Sequence, residues 1–376
     1  RLGENPLSLS QQRDSVDYGI FQRGDPPYST EGGGFEFVDG EPVLQRHESL
    51  RFAVTVPTGE PPDDGFPVVL ALPGTGGTVY DHFHPNSATA QGQLLSARGV
   101  ATLSFEPPLH GSRGEDSGAQ PDLHSYNFFN PESSRTVFRQ EAVDASVAIR
   151  FLRESLAPDH PELELDTDHL AFFGHSQGAH IGMMLAAVEP ELDTVFVNGM
   201  GGTIGYTLLH RKSPFDIEEI LRDAIGEEDG PLTLFHPAMG LAQLLAEVVD
   251  PINFAPEWYL RAEPGEATSV LQSNGFLDHA TPFPTVNAIA VASGTQLVEP
   301  VEWTFSEMEW LERESIEPPF SGNIEAADGT PVTAGLITRA NLGHWVVQDD
   351  YYTAWTAAEF LSTGLFEDLP TVCDSE

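Results

Sequence analysis

Leu170-Ala171-Phe172-Phe173-Gly174-His175-Ser176-Gln177-Gly178 is a short apolar run that breaks into a G-x-S-x-G turn, and Asp166-Thr167-Asp168-His169 leads into it. A run of that length with no polar alternation suits a strand covered on both faces, as in a parallel sheet. Beyond the turn, Ala179–Val188 is apolar and carries small residues (Ala179, Gly182, Ala186), the pattern of a helix packed closely on a sheet. A strand that reverses directly into a helix leaves no room for bulk two residues either side of the serine, hence Gly174 and Gly178. The serine hydroxyl then stands clear of the sheet, and the helix N-terminus behind it favours developing negative charge. A bare G-x-S-x-G recurs by chance; the strand before it and the helix after it give it weight.

The same rhythm continues outward. Arg51–Val56 alternates like a half-buried strand, whereas Pro67–Leu72 is a continuous apolar run and Gly99–Phe105 reads as a second buried strand. Ser87–Arg98 and Ser134–Leu152 have helical spacing, Thr194–Val197 and Ser269–Gln272 read as short strands, Val332–Arg339 closes the sheet, and a last helix covers Val347–Leu361. Strands alternating with helices imply a mainly parallel sheet with right-handed crossovers. Two stretches fall outside this pattern. Residues 1–45, rich in Gly, Pro, Asp and Glu, read as an irregular N-terminal extension. Residues 203–264 carry helical patterns at Ile217–Ile225 and Met239–Val249, several aromatics and no convincing strand, so they read as a helical insertion above the sheet. The core is thereby divided into 46–202 and 265–376.

With its flanks, the turn resembles the nucleophile segment of the α/β-hydrolase superfamily, particularly bacterial esterases and lipases. The resemblance covers about residues 50–200 and 268–363 and implies a mostly parallel central sheet flanked by helices, with 203–264 as a helical cap. It also implies the order serine, acid, histidine along the chain. Ser176 is then the nucleophile. Asn274-Gly275-Phe276-Leu277-Asp278-His279-Ala280-Thr281-Pro282 is similar to the family's acid loop, which points to Asp278; Glu314 and Glu317 are weaker alternatives. Among 13 histidines, His344 in Asn341-Leu342-Gly343-His344 occupies the family's position for the base. The oxyanion hole would use two backbone N–H groups, one from Gln177. The other is Thr75 of Pro73-Gly74-Thr75-Gly76-Gly77, which is similar to a His-Gly-x-Gly-Gly loop with Pro73 at the His position. Glu106–Gly114, with His110, resembles a structural turn beside the pocket. Asp81-His82-Phe83-His84 offers two metal-ligand histidines but suggests no third, so a polar loop is the better reading and no metal or other cofactor is expected.

Composition restricts the function without naming it. Of 376 residues, 58 are acidic and 17 basic, a formal charge of −41, and Lys212 is the single lysine. Such a chain repels a phosphate backbone and anionic membrane surfaces, so nucleic acid is excluded as a partner. No apolar run approaches the roughly 18 residues of a transmembrane helix. The one cysteine, Cys373, precludes an intrachain disulfide. The acidity suits either an ordinary soluble protein or adaptation to high salt. The missing initial Met suggests a removed leader, hence a secreted or periplasmic protein, with the cytoplasm of a salt-adapted organism as the alternative. The expected activity is hydrolysis of small-molecule or lipid-like carboxylic esters through an acyl-enzyme. The alternatives are a peptidase or amidase with the same machinery and a non-catalytic binding protein on this fold. A dehalogenase would need Asp in place of Ser176. No pattern singles out substrate-binding residues.

Overall fold

The computed structural model describes residues 3–4, 34–45, 47–84, 87–115, 125–126, 130–227 and 230–374. Most of the expected N-terminal extension therefore lies outside the described residues. Eight strands form the central sheet: β1 (Phe52–Thr55), β2 (Phe66–Leu72), β3 (Ala101–Phe105), β4 (Leu165–His175), β5 (Thr194–Asn198), β6 (Ser269–Gly275), β7 (Leu297–Val298) and β8 (Ala334–Arg339). Their spatial order is β7-β8-β6-β5-β4-β2-β3-β1. Every pairing is parallel except that of β1 with β3. The antiparallel strand sits at the edge, where it is only half buried, while β2, β3 and β5 are buried throughout.

Helices α1 (Gln91–Ser96), α2 (Pro131–Phe151), α3 (Gln177–Val188), α7 (Phe283–Ser293) and α8 (Tyr351–Phe366) alternate with the strands; α4 (Ile204–His210), α5 (Ile217–Ile225) and α6 (Pro237–Ala246) lie between β5 and β6. One face of the sheet packs Phe172, Val195 and Leu70 against α2 and α3; the other packs Phe173, Phe196 and Val69 against α8, with Phe360 and Leu361 buried. The described part of 203–264 holds no strand, as its sequence suggests, and contributes a small core of its own around Leu208, Ile217, Leu232 and Met239.

Several boundaries differ from the sequence reading, and three of them have a clear local reason. Helix α2 starts earlier because Asn130 caps it, its side chain accepting from the Ser133 N–H, and Pro131 needs no N–H at the first helical position. The final helical run is split: Val346–Asp349 ends at Asp350, whose carboxylate accepts from Thr353 N–H and restarts the chain as α8. Val332 belongs to a short hairpin with Ile324 rather than to β8.

Register decides what happens at the sheet's C-terminal edge. Leu72 lies opposite Gly174, His175 opposite Asn198, Asn198 opposite Ser273, and Gly275 opposite Arg339. The ends of β2, β4, β5, β6 and β8 are thus nearly level. The loops holding Thr75, Ser176, Asp278 and His344 leave the sheet side by side.

Candidate active site

Ser176 has φ 53° and ψ −113°, a conformation that costs a non-glycine residue about 1–3 kcal/mol. The packing around it enforces that geometry. A Cβ on Gly174 would come within 2.4 Å of the Gly178 carbonyl oxygen, and one on Gly178 within 2.3 Å of the Leu72 carbonyl oxygen. The Ser176 N–H is anchored on Asn198 O (2.8 Å) and the Gly178 N–H on Pro73 O (3.0 Å), tying the turn to both neighbouring strand ends.

The acid loop and the histidine loop are joined by main-chain bonds. Phe276 N–H donates to Arg339 O, and Leu277 N–H donates to Leu342 O, both over 2.9 Å. Asp278, only 3% exposed, accepts at Oδ1 from the N–H groups of Ala280 (2.8 Å) and Thr281 (2.7 Å). Its Oδ2 lies 2.7 Å from His344 Nδ1, and His344 Nε2 lies 2.8 Å from Ser176 Oγ. The structure therefore brings Ser176, His344 and Asp278 into one hydrogen-bonded chain. Glu314 and Glu317 stay exposed at the surface and take no part in it.

Among the described residues, neither the Thr75 nor the Gln177 main-chain N–H donates to a protein acceptor. Their side chains are linked, Thr75 Oγ1 donating to Gln177 Oε1 (2.9 Å) and lying 3.2 Å from Tyr126 OH. Gln177 Nε2 in turn donates to Glu141 Oε2 (2.9 Å). Glu141 is fully buried on α2, and burial pushes its carboxyl up to about 8 although the Gln177 hydrogen bond and the Arg113 charge oppose this. Sequence reasoning missed both Glu141 and Tyr126. A glutamate on an amphipathic helix reads as a solvated side chain, and its one available signal was a position level with the buried residues Ala142 and Ala145.

Other histidines have structural settings. His175 Nδ1 accepts from Asn198 Nδ2 (2.7 Å), its ring lies 4.9 Å from that of His344, and desolvation holds its pKa well below the ordinary value. It is therefore neutral beside the base. His82 is buried edge-on to Phe173, and desolvation lowers it to about 4. His110 Nδ1 is 2.7 Å from Pro108 O in a turn that Glu106 also closes by bonding Ser112.

A cavity of about 310 Å³ opens beside this constellation, beneath α4, α5 and α6. Tyr126 brings its wall to the oxyanion loop, and Ala280 and Thr281 bring it to the acid loop. The remainder of the wall is largely apolar, with Phe138, Met200, Leu208, Leu221 and Val249.

No family model and no curated protein matches the sequence. Among solved structures, an acylaminoacyl peptidase in complex with Z-Gly-Gly-Phe-chloromethyl ketone superposes with a TM-score of 0.50 at 10% identity, over 91% of this chain and 41% of the other. With the sheet order and the strand–serine–helix turn, that similarity settles the architecture. This is the α/β-hydrolase fold. Two further structures at 16% identity align along most of the chain. A 2,6-dihydroxy-pseudo-oxynicotine hydrolase has a TM-score of 0.49, covering 96% of this chain and 75% of its own. Est1E from Butyrivibrio proteoclasticus, with ferulic acid bound, has a TM-score of 0.48, covering 88% and 98%. The chain spans less than half of the peptidase's length.

Proposed function

We propose that this chain is a serine hydrolase that cleaves carboxylic esters through an acyl-enzyme. The reading rests on the continuous hydrogen-bonded chain from Ser176 Oγ through His344 to Asp278. In this proposal, His344 keeps its proton on Nδ1, hydrogen-bonded to Asp278, leaving Nε2 to accept the Ser176 proton as Oγ attacks the ester carbonyl. The carbonyl oxygen becomes an oxyanion between the N–H groups of Thr75 and Gln177, which need not reorganise to meet it. His344 then gives its proton to the departing alkoxide. A water molecule, deprotonated by His344, hydrolyses the acyl-enzyme and regenerates Ser176. The helices over 203–264 serve as a cap, and the apolar cavity beneath them takes one arm of the ester.

The same groups could open an amide, and one similar structure is a peptidase, but the largely apolar cavity offers a peptide backbone few partners. The discriminating experiment compares p-nitrophenyl esters with the matching p-nitroanilides. Ester cleavage that exceeds anilide cleavage by orders of magnitude, together with fluorophosphonate labelling of Ser176, is the expected result. Full activity in Ser176→Ala would overturn the proposal. Asp278→Asn should lower kcat by about 10⁴-fold with the fold intact, because the imidazole would then hold the wrong tautomer.

A further inference from the structure

Arg211 follows α4 and lines the cavity, yet is only 9% exposed. Elsewhere the described arginines mostly pair with carboxylates: Arg113 with Glu48 and Asp144, Arg98 with Glu359, and Arg339 with Asp350. Arg135, which also lines the cavity, is paired with Glu132. Arg211 has no such partner among the described residues. Its Nε donates to Ser213 O (2.9 Å), and its guanidinium carbon lies over the Tyr126 ring, 4.8 Å from the centroid. The two Nη groups, which hold four more N–H donors, find no acceptor among the described residues.

A buried guanidinium with unused donors is costly unless something completes it. In a chain with 58 acidic residues, a carboxylate at this place would be the ordinary solution, and the described residues supply none. The contact with the Tyr126 ring and the bond to Ser213 O hold the guanidinium in place, and a planar fork of paired donors suits a two-oxygen anion. Tyr126 also touches the oxyanion loop through Thr75, so the donors lie one ring away from where the ester carbonyl would sit.

We propose that Arg211 recognises a carboxylate at the far end of the substrate arm that fills the cavity. The preferred substrates are then half-esters of dicarboxylic acids, apolar along the arm and anionic at its tip. The inference rests on the ester-hydrolase reading for its substrate class. The net charge of −41 opposes any anion at long range, so the attraction must act at contact, where it is least screened.

The test compares p-nitrophenyl hydrogen adipate and hydrogen suberate with p-nitrophenyl hexanoate and octanoate, after subtraction of uncatalysed hydrolysis. The wild type should cleave each half-ester at least as efficiently as its neutral counterpart. Arg211→Met should lower kcat/KM for the half-esters by about 10- to 100-fold, the scale of a lost charge-assisted contact, and leave the neutral esters within about threefold. Arg211→Lys should fall between, having the charge without the planar fork. Equal losses on both ester types in Arg211→Met, or a wild type that rejects half-esters, would overturn the proposal. p-Nitrophenyl acetate reports separately on the ester-hydrolase reading, because its short arm does not reach Arg211. If acetate is untouched, that reading fails, and the carboxylate site is decided by calorimetry on the Ser176→Ala protein with monomethyl adipate and methyl hexanoate as probes. A preference for monomethyl adipate that Arg211→Met abolishes supports the site; no preference overturns it.

Discussion

Glu141 concentrates the energetic tension of this site in one residue. Its Oε2 holds Gln177 while its Oε1 is buried without a partner. With the carboxyl raised to about 8 from an ordinary value of 4.5, the folded protein keeps a proton that the unfolded chain releases. Between those values the native state binds more protons, so stability contributed by the neutral group falls as pH rises and is lost by about pH 8. Glu141→Gln removes that dependence, and its unfolding midpoint should gain on the wild type from pH 5 to about pH 8 and level off above that. A constant difference across the range would mean that Glu141 is ionised in the fold. Glu141→Ala leaves Gln177 without its anchor and should cost about tenfold in kcat, the scale of a loosened oxyanion donor. The three residues of the hydrogen-bonded chain were legible because each sits in a short local pattern: the glycines around Ser176, the acid loop around Asp278, the Gly-His pair at His344. Glu141 and Arg211 matter through what tertiary packing puts next to them, and one strand of text holds no mark of that.

At the scale of elements, β2 was readable because burial on both faces leaves no polar side chain in it, and β3 because only the small Thr102 and Ser104 interrupt its apolar residues. Strand β7 was missed because two residues carry no period, and α7 because Pro282 and the acid loop masked its start. Helix α5 was found from its sequence at Ile217–Ile225, with Asp216 capping its start and Gly226 ending it. Together with α4 and α6 it roofs the cavity, and the volume of that cavity sets an expectation. At roughly 30 Å³ for a water-sized group, 310 Å³ holds about ten such groups. Each methylene that enters is worth about 0.8 kcal/mol, so kcat/KM should rise about fourfold per carbon and level off once the space is full. Ala242 on α6 lines the cavity, and Ala242→Phe should move the plateau to shorter arms while sparing the acetate. A flat rate series from acetyl to decanoyl would mean that the arm lies elsewhere.

For the molecule as a whole, the acidic excess is a matter of surface. The largest buried side chains are aromatic and aliphatic, and buried carboxylates such as Asp144 and Asp250 are held by Arg113 or by main-chain N–H groups. Lys212, the single lysine, is engaged with Asp216 and Glu218. Most exposed carboxylates therefore face one another across water with few cations between them. Screening should relieve this repulsion, so the unfolding midpoint should rise by several degrees between low and molar salt. A midpoint that falls steadily with added salt would count against adaptation to saline surroundings. The level strand ends have a consequence for how this protein comes to life. His344 meets Ser176 across 168 residues of chain and Asp278 across 66. Closing such long loops is slow, and contacts between distant segments form after local helices have. In a refolding experiment, helical circular dichroism should recover first and ester cleavage last. Turnover is thus a clock for the final docking of β8 onto β6, and a newborn chain stays inert until β8 and the His344 loop have been made and folded.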